Sequence, residues 1–264
     1  MACRLTILAG ALQVRRMWTP ETLLAVGLIF ILAGFVKGVA GLGLPTIAIA
    51  LMAVFIGLKE GIALMVVPTI VTNIWQALAG GRFMALVRRF WSLLLAAALG
   101  SWVGAGILAR SDAMLLAAML GVLLCVYSAV GLTRPPVPPP GRAEPWLSPV
   151  IGATGGLIGG MTGSYAVPGV LYMQALGLPR NALVQALGIT FLVFTLAMGT
   201  SLTSHGLMSS EIGALSVAAT LPAVGGMALG QLVRHRMSEE VFRPVFFSVL
   251  LMLGAWLALR PLLA

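Results

Sequence analysis

An all-α polytopic membrane protein is the fold class this sequence predicts, and three observations predict it. The 264 residues are 60% hydrophobic and only 9% charged, with a mean hydropathy of +1.06. No soluble domain of this size tolerates that balance. Apolar runs near the roughly 20 residues needed to span a bilayer recur along the whole length. No alternating ten-residue pattern recurs, which argues against a β-barrel.

Ten apolar segments can be read, at 22–37, 44–57, 61–79, 91–108, 113–132, 148–162, 165–177, 182–203, 211–230 and 244–260. One transmembrane domain, 1–264, uses nearly all of the chain and leaves no room for a separate catalytic domain. Residues 1–18, with Arg15 and Arg16 after a short apolar run, make a poor signal peptide and read as a short, partly interfacial extension. Cys3 and Cys125 imply no disulfide, and Cys125 reads as packing within an apolar run.

The segments fall into two halves, 22–132 and 148–260, joined by a proline-rich linker at 133–147 that cannot be a membrane helix. Each half opens on two short segments separated by a glycine-rich break. The first reads GFVKGVAGLGLP (34–45) and then GLKEGIAL (57–64). The second reads GGLIGGMTGSYAVPG (155–169) and then GLPRNALV (177–184). The shared order of features predicts an internal duplication with broken or re-entrant hairpins opening each half.

Two topologies remain open. If all ten segments alternate, Arg82, Arg88, Arg89, Arg134, Arg142, Arg180, Arg234, Arg236 and Arg243 share one side, while Lys59, Glu60, Arg110, Asp112 and Glu211 share the other. That is a positive-inside pattern, and it makes the repeats inverted. If each opening pair crosses only once, there are eight spans and parallel repeats. The first arrangement is preferred. The net charge of +9 belongs to these short loops, so nucleic acid is not an expected partner.

Lys37 is the clear cation inside a predicted span. A charge there costs about 2.5–3.5 kcal/mol by insertion scales, so it is expected to face a cavity or partner. The alternative is a side chain that snorkels to an interface. The first break is read as Gly38 to Pro45, with Gly41 and Gly43. The second is Gly160 to Pro168, with Thr162, Gly163, Ser164 and Tyr165. Backbone that leaves helical geometry in a bilayer must be buried or line a wet cavity. The freed N–H groups and the helix dipole favour an anion. Inverted symmetry would bring the two turns together near the midplane. Gly152, Gly156 and Gly160 have small-xxx-small spacing and read as helix packing. Thr69, Asn73 and Gln76 share one helix face and either line an anion path or bridge helices. Gln185 and Thr190 are a weaker match in the other half.

No carboxylate lies inside a segment. His205 reads as a solvated loop residue. There is no metal cluster, P-loop or triad, so neither an enzyme nor a cofactor is expected.

The motifs GFVKGVAGLGLPTIAIAL (34–51) and GGLIGGMTGSYAVPGVLYMQALGLPRNAL (155–183) resemble the TauE/SafE sulfite exporter family. Gly38, Gly41, Gly43 and Pro45 match its first motif, and Gly160, Gly163 and Pro168 its second. The triple-glycine run common in the family is missing here, and Ser164 and Tyr165 replace further glycines. The resemblance implies a multi-pass inner-membrane transporter for a small anion such as sulfite, sulfoacetate, thiosulfate or a carboxylate, working by alternating access. The expected partners are that substrate and the lipid bilayer, with a homodimer compatible. The other class of function is a membrane-embedded assembly subunit that uses its glycine faces to bind a partner.

Overall fold

A computed structural model describes residues 19–133, 135, 138–234 and 236–263, with Glu239 as backbone only. The amino-terminal extension and part of the proline-rich linker lie outside the described residues.

The described residues form ten helical segments and no strand. Helix α1 (Pro20–Ala40) starts at Thr19, whose Oγ1 accepts from the Thr22 N–H, and it ends at Gly41 in the left-handed region, φ 79°. After Gly43, at φ 104°, α2 (Leu44–Phe55) begins, with Pro45 in its first turn where its missing N–H costs nothing. Then come α3 (Leu58–Leu78), α4 (Phe83–Arg110) and α5 (Ala113–Thr133). Helix α4 bends at Phe90, which leaves helical geometry. Asp112 Oδ1 accepts from the Met114 and Leu115 N–H groups and so caps the start of α5.

The second half repeats the order. Helix α6 (Glu144–Thr162) ends at Gly163, φ 77°. The short α7 is a π turn (Ala166–Val170) running into Leu171–Ala175. Then come α8 (Arg180–Ser204), α9 (Ser210–Val233) and α10 (Glu239–Leu263). Among the described residues, seven helices are long and apolar enough to cross a membrane. The outward faces carry Leu24, Trp91, Leu115, Leu221 and Met252 exposed. A surface of that kind suits lipid rather than water. The chain is an all-α polytopic membrane protein.

Both predicted breaks are narrower than the sequence suggests. Gly38 and Gly160 are helical; the first break is 41–43, and the second runs from Gly163 to Val167, which is extended at φ −121° and ψ 127°. Helix α6 also starts at Glu144, inside the stretch expected as linker. The Arg89 guanidinium fixes that start through a two-pronged pair with the Glu144 carboxylate at 2.7 and 2.8 Å.

Packing pairs one half with the other. Helix α1 lies on α9, α4 on α6, α3 on α8 and α5 on α10. Exchanging the halves returns the same set of pairs. Glycines allow the closest of these contacts. A Cβ on Gly34 would sit 2.1 Å from the Ala223 carbonyl, and one on Gly226 2.1 Å from that of Ile31. The counterpart contact sets Gly100 against Ala153 and Gly156 against Ala97, at 2.4 Å each. Backbones that near require glycine on both faces. These small-residue faces are therefore used within the chain.

Direction follows from which residues meet. Gly34 meets Ala223 and Gly38 meets Met227 and Gly230, so α1 and α9 run the same way. In contrast, Gly188 meets Gln76 and Gly199 meets Val66, so α3 and α8 are antiparallel. Gly121 meets Gly254 and Gly131 meets Phe247, so α5 and α10 are antiparallel too.

The charged ends sort accordingly. Arg89 and Glu144 join the starts of α4 and α6. The Arg82 N–H donates to Gln185 Oε1 near the start of α8. Arg243, at the start of α10, donates to the Gly131 carbonyl near the end of α5. At the opposite end of the bundle, Lys59 donates to the Ala109 carbonyl and Arg260 to that of Ala53.

Candidate functional site

Lys37 sits in the last turn of α1, 4% exposed. It does not snorkel. Its Nζ donates to Thr72 Oγ1 at 3.1 Å and to Asn73 Oδ1, both on α3. These partners are neutral, and among the described residues no carboxylate pairs with it. A buried cation held only by neutral oxygens retains strong affinity for an anion, because its partners offer dipoles and no charge.

The polar face of α3 is wider than the spacing of Thr69, Asn73 and Gln76 suggests. Thr72 completes it, and sequence reasoning missed it. The available signal was its i+3 position from Thr69 on the same face. Thr69 is fully buried and donates to Met65 Sδ at 3.7 Å. Thr72 donates to the Pro68 carbonyl at 2.8 Å, which leaves its oxygen free to accept from Lys37. Pro68 has no N–H for the Leu64 carbonyl one turn earlier. Ser216 of α9 donates to that carbonyl at 2.7 Å and accepts from the Val67 N–H at 3.1 Å. The interruption in α3 is thus satisfied from a neighbouring helix, as burial in a membrane demands.

Gln76 does not present its amide donors to the centre. Its Nε2 donates to the Gly41 carbonyl at 2.8 Å and the Val184 carbonyl at 2.6 Å. It ties the first turn to α8. Gln185 is likewise structural, donating to the Ala77 carbonyl at 2.7 Å. Thr190 donates to the Ala186 carbonyl of its own helix at 2.9 Å. Gly38 packs on the α9 backbone. Gly41 faces Val184, and Gly43 faces Val36 and Phe246.

In the second turn, Thr162 donates to the Ile158 carbonyl at 2.8 Å. Gly163 lies against Ile49 and Ile62. Tyr165 is buried, with its ring 5.4 Å from that of Phe194 and 6.1 Å from that of Phe191. The two turns do not meet. The first is level with Gln76 and the second with Ile62, which separates them by about 21 Å along α3 at 1.5 Å per residue. Each turn closes one end of the α3–α8 pair.

Between the turns lies a polar centre. The contacts of Gln76 with Gly188 and Val66 with Gly199 place Thr69 and Asn73 level with residues 191–196 of α8. Asn73 Nδ2 and Thr195 Oγ1 are buried without a hydrogen-bond partner, as are Ser164 Oγ and Tyr165 OH. Orphaned buried donors cost about 1–3 kcal/mol each, so each calls for explanation. Asn73 and Thr195 are equivalent positions. The offset that pairs Gly41 with Gly163 also pairs Leu58 with Arg180, Asn73 with Thr195 and Lys37 with Gly159. The equivalence stops at the charge. Where the first half has Lys37, the second has Gly159 packed on Phe194. Among the described residues, the centre holds one cation.

His205 is half-buried, its Nδ1 2.8 Å from the Ser201 carbonyl oxygen. Among the described residues no group of three His, Cys, Asp or Glu side chains could hold a metal. The arrangement can bind an anion, through one ammonium, one amide N–H and hydroxyls.

The family model described as "Sulfite exporter TauE/SafE" matches residues 26–257. No curated protein and no solved structure matches the chain. The match spans nearly all of the described bundle, including both turns and Lys37, and the chain belongs to the TauE/SafE sulfite exporter family.

Proposed function

We propose that this member of the family carries a small sulfur-containing or carboxylate anion, such as sulfite, thiosulfate or sulfoacetate, across the inner membrane by alternating access. One observation carries the reading. Lys37 is buried in the bundle, bonded only to neutral oxygens, with the unpartnered amide N–H of Asn73 beside it. An oxyanion is the ligand that satisfies all of these groups at once. The ammonium supplies charge, Asn73 Nδ2 donates, and the Thr72 and Thr195 hydroxyls donate after a small rotation. Gln76 holds the first turn in place.

The two halves are inverted repeats in this reading. Support comes from the antiparallel pairs α3–α8 and α5–α10 and from the conserved set of pairings when the halves are exchanged. The axis relating the halves passes through the α3–α8 contact, beside the polar centre. Rocking one half against the other would then expose the centre to each side in turn. The arginine-rich end is the cytoplasmic one by the positive-inside rule.

Purified protein in liposomes loaded with radiolabelled sulfite provides the test. Exchange against external sulfite, thiosulfate or sulfoacetate, but not against chloride, is the expected result. Absence of exchange with all three anions from folded, correctly inserted protein would overturn the reading and favour an assembly subunit.

A further inference from the structure

Away from the polar centre, a cleft of about 320 Å³ opens between α1, α2 and α10. Its walls are apolar throughout, with Val36, Ile47 and Phe246 at the buried side and Val241, Val245 and Val249 on the open side. Along α10 it runs from Val241 to Leu253, about 18 Å of helix at 1.5 Å per residue. The hydrocarbon thickness of one leaflet is about 15 Å, half of the roughly 30 Å core. The cleft therefore has the depth of a single leaflet. It opens sideways, where the exposed valines meet the bilayer.

One end of the cleft is marked by Met237. That residue sits on the link between α9 and α10, beside Arg234 and Arg236. Among the described residues neither arginine pairs with a carboxylate. Arg234 lies just beyond α9, and partial burial, then the nearby Arg180, holds its guanidinium below its usual value. Glu240 is exposed at the start of α10. The arrangement is an apolar slot one leaflet deep, and Arg234 and Arg236 stand within three residues of Met237, which marks one of its ends.

We propose that this cleft binds one anionic phospholipid, with an acyl chain along α10 and the phosphate held by Arg234 and Arg236. The charge next to Met237 selects an anionic headgroup, and the apolar walls accept the chain. Val36 and Phe246 line the cleft and also pack on Gly43, so the bound chain backs directly onto the first turn.

Retained lipid can be measured by native mass spectrometry on protein exposed to equal amounts of phosphatidylglycerol and phosphatidylcholine. Wild type is expected to retain phosphatidylglycerol over phosphatidylcholine by about 30-fold, in line with the attraction of two arginines near an anionic surface. Replacing both arginines, Arg234→Gln with Arg236→Gln, is expected to bring the ratio near unity. Val245→Trp fills the slot from its exposed side and is expected to lower retention of both lipids, with the melting temperature unchanged. Equal retention of the two lipids by wild type would overturn the proposal. So would a ratio unaffected by the arginine variants, retention unaffected by Val245→Trp, or a lipid-free dimer that covers the cleft with a second copy.

Discussion

Replacing Lys37 with methionine separates a binding role from a structural one, because the two roles predict different changes in affinity and in stability. Methionine keeps the apolar stem and removes the charge. If the ammonium exists to hold an anion, its loss removes a charge-assisted contact of about 1.5–3 kcal/mol. At 1.4 kcal/mol per factor of ten, affinity should fall by roughly 10- to 150-fold. The empty protein should become no less stable. The buried charge costs about 2.5–3.5 kcal/mol to insert, and that cost disappears. Against this, Asn73 Oδ1 loses its donor and Thr72 Oγ1 loses one of its contacts. An unmet buried acceptor costs about 1–3 kcal/mol, so the two effects roughly cancel. Calorimetric titration with sulfite and with sulfoacetate, alongside a melting curve in detergent, reads both quantities. Lys37→Arg should rescue poorly, since a forked guanidinium does not fit a slot shaped by Thr72 and Asn73. Unchanged affinity together with a clear drop in melting temperature would refute the reasoning and make Lys37 a helix-bridging residue.

Three further outcomes are expected. Thr195→Val removes a hydroxyl that has no partner, so stability should hold, while anion affinity falls about fivefold, the worth of a net hydrogen bond near 1 kcal/mol; unchanged affinity on titration would remove Thr195 from the site. Gly34→Ala places a Cβ against the Ala223 carbonyl and should destabilise by about 1–3 kcal/mol, whereas a Cβ at Gly27 meets nothing within 4 Å, so Gly27→Ala should be neutral in the same thermal assay. Cysteines at Arg88→Cys and Arg236→Cys should react with an impermeant label from one face of sealed vesicles, and Ser209→Cys from the other; opposite faces for 88 and 236 would rule out inverted repeats.

The sequence by itself determined that the chain is an all-helical membrane bundle, where its ten segments lie and where each half breaks. Hydropathy and glycine or proline punctuation are local properties, so Gly41, Gly43 and Gly163 announce their turns whatever surrounds them. Helical periodicity also placed Thr69, Asn73 and Gln76 on one buried face. It could not say what that face meets. Lys37 and Asn73 are brought together only because α9 packs on both α1 and α3, and Gln76 turned its amide away from the centre because two backbone carbonyls, one from the first turn and one from α8, converge on it. Gly38 read as a turn residue, and Gly160 both as the edge of a turn and as helix packing, since a glycine that permits a bend looks the same in sequence as one that permits close packing. Their roles were set by the backbones of α9 and α4 lying against them. The separation of the two turns, the repair of α3 at Pro68 by Ser216 and the orphaned pair Asn73 and Thr195 all depend on contacts between distant segments. Those contacts follow from how ten helices share one volume, a constraint that no single stretch of sequence contains.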